Sequence, residues 1–148
     1  MSEAAAGAPL SNWPKVGETI GRTDFGPFSG SHLRRYALVS GDDNPLHLDA
    51  SAAAAVGLEA PPVHGMLMMS CFEPALRHWR RDIIICRLSG KFLRPVLRDG
   101  AISITGRVAR AVLEPRPELF LRLMAYGPNG DLAILAEATV RRLEPWPL

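Results

Sequence analysis

Gly41-Asp42-Asp43-Asn44-Pro45-Leu46-His47-Leu48-Asp49 gathers three carboxylates and one imidazole into nine residues. A carboxylate and an imidazole around one water can divide the removal of a proton from its return, which is general acid–base chemistry. Asp42 and His47 stand five positions apart. On a regular helix that spacing turns them about 140° away from each other, and Pro45 pushes Asn44 out of helical angles. The segment therefore reads as a bent loop, which can aim both side chains at one point. Asn44 could hold that geometry with its amide. The same Asp-Asp-Asn-Pro run also suits an ordinary turn, because Asp and Asn hydrogen-bond their own backbone.

A second element follows. Pro61-Pro62-Val63-His64-Gly65-Met66 halts the chain and then opens an apolar helix. The first turn of a helix offers unpaired N–H groups and the positive end of the dipole. Gly65 lets a ligand approach that backbone closely. An N–H there suits an oxygen that gains negative charge in a transition state, such as a thioester carbonyl becoming an enolate. Packing of helix on sheet is the other reason for a glycine at this point. His64 reads as a structural hydrogen-bonder.

The elements that must position these groups emerge from period and punctuation. Residues 1–14 are rich in Ala, Gly, Ser and Pro and read as a loose terminus. A helix is expected over 31–40, capped by Ser29 or Ser31 and stopped by Gly41. A short Ala-rich helix is expected over 50–56, ended by Gly57. Residues 64–81 read as one helix, apolar on every side at first and basic at its end, with Pro74 as a kink or break. Glu73 is expected at the surface or a subunit contact. The period then becomes two: strands are expected over 83–94, 102–112, around 119–123 and over 132–142, with an earlier one near 18–24. Pro128-Asn129-Gly130 marks a hairpin between the last two. The outline is α+β, one buried helix followed by antiparallel strands, and a helix so apolar needs a curved sheet or a partner subunit to cover it.

Composition excludes several classes. The chain has 148 residues, enough for one domain, and 47% apolar with 22% charged residues argues against disorder. A net charge of +2 is too balanced for a protein held on nucleic acid by a basic field. No secretory signal or membrane span stands out, so a cytoplasmic protein is expected. Cys71 and Cys86 sit in apolar surroundings and read as free buried thiols, without zinc or redox spacing.

Gly41-Asp42-x-Asn44-Pro45-x-His47-x-Asp49 followed by Pro62-x-His64-Gly65-Met66 resembles the signature of the MaoC-like dehydratases, a family that includes (R)-specific enoyl-CoA hydratases. Lys91-Phe92-Leu93-Arg94-Pro95-Val96 is similar to the strand these proteins place after their central helix, so the resemblance runs from about Tyr36 to Val140. It implies a single hot-dog domain over 15–148, a long helix wrapped by an antiparallel sheet, dimeric or larger. It implies reversible syn addition of water to a trans-2-enoyl thioester, giving an (R)-3-hydroxyacyl thioester. Asp42 and His47 match the catalytic pair, Asn44 a loop-supporting residue and Gly65 the backbone donor to the thioester oxygen. Asp49 and His64 match signature positions read as structural. Asp42 taking a proton from water while His47 protonates Cα is one assignment; a water bonded to both groups allows the reverse. No metal or redox cofactor is implied, because the thioester itself acidifies Cα. Coenzyme A or acyl carrier protein would be the carrier, and Lys91 and Arg94 are candidates for its phosphates, with Arg98 and Arg81 behind them. The usual Gly-Asp after the post-helix strand appears as Asp99-Gly100. Two other readings share the fold: an acyl thioesterase, which needs no Asp-x-Asn-Pro-x-His loop, and a non-catalytic acyl-thioester-binding partner, in which Asp42 and His47 could be lost without penalty.

Overall fold

The computed structural model describes residues 10–143. Five antiparallel strands, β1 (Thr19–Phe25), β2 (Ile83–Phe92), β3 (Ile102–Val112), β4 (Glu118–Tyr126) and β5 (Leu132–Arg142), form one sheet in the order β1-β3-β4-β5-β2. Period two decides which face is inside. Ile102, Ile104 and Val108 of β3, Leu119, Leu121, Leu123 and Ala125 of β4, and Ala136, Ala138 and Val140 of β5 are all buried. Each side chain of this size stabilises the fold by roughly 1.5–3 kcal/mol when it leaves water, and less for the alanines. Register shifts interrupt all four strand pairings. An extra residue in one strand bends it and tightens the twist, which curves the sheet. The Gly127 N–H donates to Asp131 O at 2.9 Å and closes the expected β4–β5 hairpin.

Helix α1 (Gly30–Ser40) is capped by Ser29, whose hydroxyl accepts from His32 N. It stops at Gly41, where a φ of 77° lets the N–H bond Ala37 O, a left-handed turn that glycine enters without steric cost. Helix α2 (Ala50–Ala55) is capped by Asp49, which accepts from Ser51 N.

The long helix expected over 64–81 is two pieces, α3 (Gly65–Ser70) and α4 (Phe72–Trp79). The break falls at Cys71, one turn ahead of Pro74. Pro74 has no N–H for the Ser70 carbonyl, and its ring presses on that group. The Ser70 hydroxyl and Cys71 thiol both donate back to Leu67 O, at 2.6 and 3.5 Å, a contact that bends helices. Burial on every side is also corrected. Leu67, Met68, Met69, Phe72, Ala75 and Leu76 join the core, whereas Met66 is 60% exposed. Met66, Ser70, Glu73 and Arg77 form an outward stripe, and Arg77 Nε pairs with Glu73 Oε1 at 2.8 Å.

Within the segment expected to be loose, residues 1–9 lie outside the described residues. Leu10–Asn12 make a 3-10 turn, and the side chain of Trp13 is buried under the Arg80 guanidinium, 5.6 Å from the ring centre. Cys71 is buried, and its thiol is pushed up to about 11 by that burial. Cys86 is exposed, against expectation, because it lies on β2, an edge strand with nothing beyond it among the described residues. No helix among the described residues is long and apolar enough to cross a membrane.

Candidate active site

The loop after α1 is built from short-range hydrogen bonds. Ser40 Oγ donates to Tyr36 O at 2.7 Å and accepts from Asp42 N at 3.1 Å. Asn44 Oδ1 accepts from Leu46 N at 3.0 Å and caps a 3-10 turn, Pro45–His47. The bent loop expected from Pro45 is thus present; the Asn44 side chain supports it as a cap, and the Asn44 N–H donates to Asp42 Oδ1 at 3.5 Å. A proline at the first position of that turn gives up an N–H that would have no partner there.

The turn brings His47 back towards Asp42. His47 Nε2 lies 4.0 Å from Asp42 Oδ2. That is too long for a direct hydrogen bond and short enough for one water to bond both, at about 2.8 Å each. His47 Nδ1 is 2.8 Å from the Pro62 carbonyl. A carbonyl only accepts, so Nδ1 carries the proton and the neutral ring presents a lone pair at Nε2. The His47 side chain is 16% exposed and that of Asp42 is 47% exposed, so solvent reaches the pair from the carboxylate side.

His64 lies beneath. It is fully buried, its Nε2 donates to the Asp42 carbonyl at 3.1 Å, and its ring stacks on His47 with centres 4.1 Å apart and planes 24° apart. Tyr36 also meets the ring, edge-to-face with centres 4.8 Å apart. Burial holds the His64 pKa below its ordinary value; the charge of His47 adds to this, and the contacts with Asp42 oppose it. Its Nδ1 has no partner among the described residues, which costs about 1–3 kcal/mol in a buried group. The sequence shows His64 as a signature histidine; its stacking and its bond to Asp42 depend on residues 17 and 22 positions away, and no local spacing announces them. Tyr36 and the Pro62 carbonyl carry no signal in the sequence that marks them as neighbours of the pair.

Single donor atoms of Asp42, His47 and His64 lie within 4.8 Å of one another, a set that invites a metal. The geometry argues against one: a ligating lone pair lies in its ring plane, and two planes tilted by only 24° meet far outside bonding distance of either ring. His64 also spends Nε2 on a carbonyl.

Gly65 opens α3, so its N–H is one of the first-turn donors that a helix does not satisfy internally. A Cβ at Gly65 would stand 2.8 Å from Phe92 Cε1 on β2, so the glycine is needed for close packing there. Lys91, beside Phe92, is exposed on the edge strand. Arg94 follows β2, lies 3.9 Å from Asp131 and lines an open groove of about 560 Å³ with Arg98, Glu59 and Asp99. The structure therefore gathers Asp42, Asn44 and His47 and sets Gly65 against Phe92 at the C-terminal end of β2, the end that carries Lys91 and leads into Arg94; Asp42 and His47 do not line the groove.

Residues 12–111 match the family model described as the MaoC-like domain. An (R)-specific enoyl-CoA hydratase of Aeromonas caviae is 33% identical over 116 residues, 77% of this chain and 86% of the relative. A mitochondrial 3-hydroxyacyl-[acyl-carrier-protein] dehydratase of Arabidopsis thaliana is 45% identical over 58 residues, 39% of this chain and 34% of the relative. The solved (R)-hydratase from A. caviae involved in PHA biosynthesis superposes with a TM-score of 0.80 at 30% identity, covering 89% of this chain and 99% of that one. The hot-dog architecture is thereby shared.

Proposed function

Since the chain belongs to the MaoC-like domain family, we propose that it adds water reversibly to trans-2-enoyl thioesters and yields (R)-3-hydroxyacyl thioesters. Hydro-lyase activity of the hydratase/dehydratase kind follows from the family and from the hydratase relative. The finer reading assigns the reaction to Asp42 and His47. The observation that carries it is the 4.0 Å gap between His47 Nε2 and Asp42 Oδ2, a space for one water bonded to both.

In this reading, water gives its hydroxyl to Cβ and a proton to Cα on the same face. One of the pair takes the proton from water as the C–O bond forms, and the other supplies the proton to Cα. The pair is then back to its starting total of protons after one exchange between its members. The enolate oxygen that develops between these steps is held by the Gly65 N–H at the start of α3. The chemistry calls for no metal or redox cofactor, because no electrons are transferred and the thioester stabilises the carbanion. Lys91 and Arg94 are assigned to the phosphates of coenzyme A or of a carrier-protein arm, and the protein to the cytoplasm, where such thioesters circulate.

The active unit in this reading is a homodimer. Its support is β2, an open sheet edge that carries exposed Ile84 and Phe92, with exposed Leu93 and Leu135 beside it. An unpaired strand edge with apolar side chains is a template for a second strand. Purified protein mixed with trans-2-enoyl-CoA of several lengths tests the function: loss of the conjugated thioester absorbance without free thiol is the expected result. Thiol release with intact enoyl absorbance would replace it with a thioesterase.

A further inference from the structure

We propose that His64 is a positioning residue, a single buried imidazole that sets where both Asp42 and His47 stand. The proposal rests on the hydratase reading of that pair and adds a third residue to it. His64 acts on each partner through a different part of its ring. Its Nε2–H grips the backbone carbonyl of Asp42 at 3.1 Å, while its face lies against His47 at 4.1 Å. The Asp42 side chain is half exposed; within its own loop, the Asp42 N–H donates to Ser40 Oγ and its carboxylate accepts from Asn44 N. The bond from His64 is thus a tie between the Asp42 loop and the start of α3. His47 is held from the same short segment, since its Nδ1–H donates to Pro62, two residues before His64. Residues 62–64 thus fix both members of the pair, and the separation of 4.0 Å depends on this anchor.

The ring is also suited to stay neutral. The titratable groups that face it are Asp42, His47 and Tyr36, the last through an edge-to-face ring contact. A cation at His64 would stand against His47 in the step where His47 itself must carry a proton. Full burial and the unpartnered Nδ1 disfavour that cation. Phenylalanine supplies the flat face without the N–H, and glutamine the N–H without the aromatic face.

The two substitutions separate the contributions. His64→Phe is expected to keep KM within about twofold and to lower kcat about tenfold or more, with the pH profile of kcat/KM displaced. His64→Gln, which restores an N–H towards the Asp42 carbonyl, is expected to recover part of the loss in kcat. Two folded variants with the kcat and pH profile of the original protein would overturn the proposal and leave His64 as packing. Nitrogen NMR on the unsubstituted protein reads the same point without any variant or turnover. His64 is expected to carry its proton on Nε2 at about pH 7 and to take up a second one only below the ordinary imidazole value of 6.5. A proton on Nδ1 at about pH 7, or uptake of a second proton at or above that ordinary value, would overturn the proposal. Failure of the unsubstituted protein to hydrate any enoyl thioester would instead defeat the underlying reading, and the NMR result stands apart from it.

Discussion

The Nδ1–H of His47 donates to the carbonyl of Pro62 at 2.8 Å, and this one bond decides which nitrogen faces Asp42. Fifteen residues separate the two in sequence, so the loop that carries the imidazole and the segment that opens α3 are tied into one unit. Asparagine at 47 retains an N–H where Nδ1 stands but has no atom at Nε2. His47→Asn is therefore expected to fold with a melting temperature close to the original and to lose about 10²-fold or more in turnover. Thermal melting and steady-state rates on the same preparation check it; near-normal turnover removes His47 from the chemistry.

Gly65 and Phe92 are expected to be coupled. A Cβ at 65 would meet the Phe92 ring at 2.8 Å, and overpacking of this kind costs about 1–3 kcal/mol. Phe92 is 52% exposed, so its ring can swing away, which places Gly65→Ala near the lower bound. Phe92→Ala in the same chain removes the clash. The double variant is expected to be more stable than the sum of the single effects by denaturant unfolding, and strict additivity would show that the contact is absent in solution.

Acid should weaken the fold through His64. Its pKa is lowered mainly by burial, so just below its ordinary value of 6.5 the unfolded chain binds a proton there that the folded chain does not. Stability from this residue is complete above that value and is lost as pH falls through the window below it. The melting temperature is expected to drop from about pH 7 to about pH 5.5, and His64→Phe is expected to flatten that slope. Because the other histidines are shared by both proteins, an unchanged slope in the variant would rule His64 out as the cause.

The open edge of β2 predicts self-association. Light scattering on the chromatographic peak is expected to give twice the chain mass of 16.1 kDa. Ile84→Lys places a charge on that edge, where Ile84 is 48% exposed, and is expected to shift the peak towards the monomer. A monomer in the unsubstituted protein contradicts the dimer.

What was legible in the sequence was what depends on near neighbours. The period of Leu132–Arg142 marks β5 to the residue, and Gly41 marks the end of α1. The Asp42–His47 loop was readable because Pro45 keeps Asn44 from helical angles and a spacing of five would turn the pair apart on a regular helix. The break at Cys71 was only half visible: Pro74 announces it, but its effect falls on the carbonyl four residues earlier. The outward turn of Met66 and the exposure of Cys86 were hidden, since an apolar residue looks alike on a core face and on an open edge. The place of His64 between Tyr36, Asp42 and His47 comes from three distant segments meeting, which no local pattern carries.

The central claim is that Asp42 and His47 hydrate an enoyl thioester. Its most direct test compares the unsubstituted protein with Asp42→Asn on trans-2-enoyl-CoA, following the conjugated absorbance and the stereochemistry of the product. The account predicts (R)-3-hydroxyacyl-CoA from the former and a rate lower by about 10²-fold or more in the folded variant. Equal rates in the two proteins, or an (S) product, would contradict it.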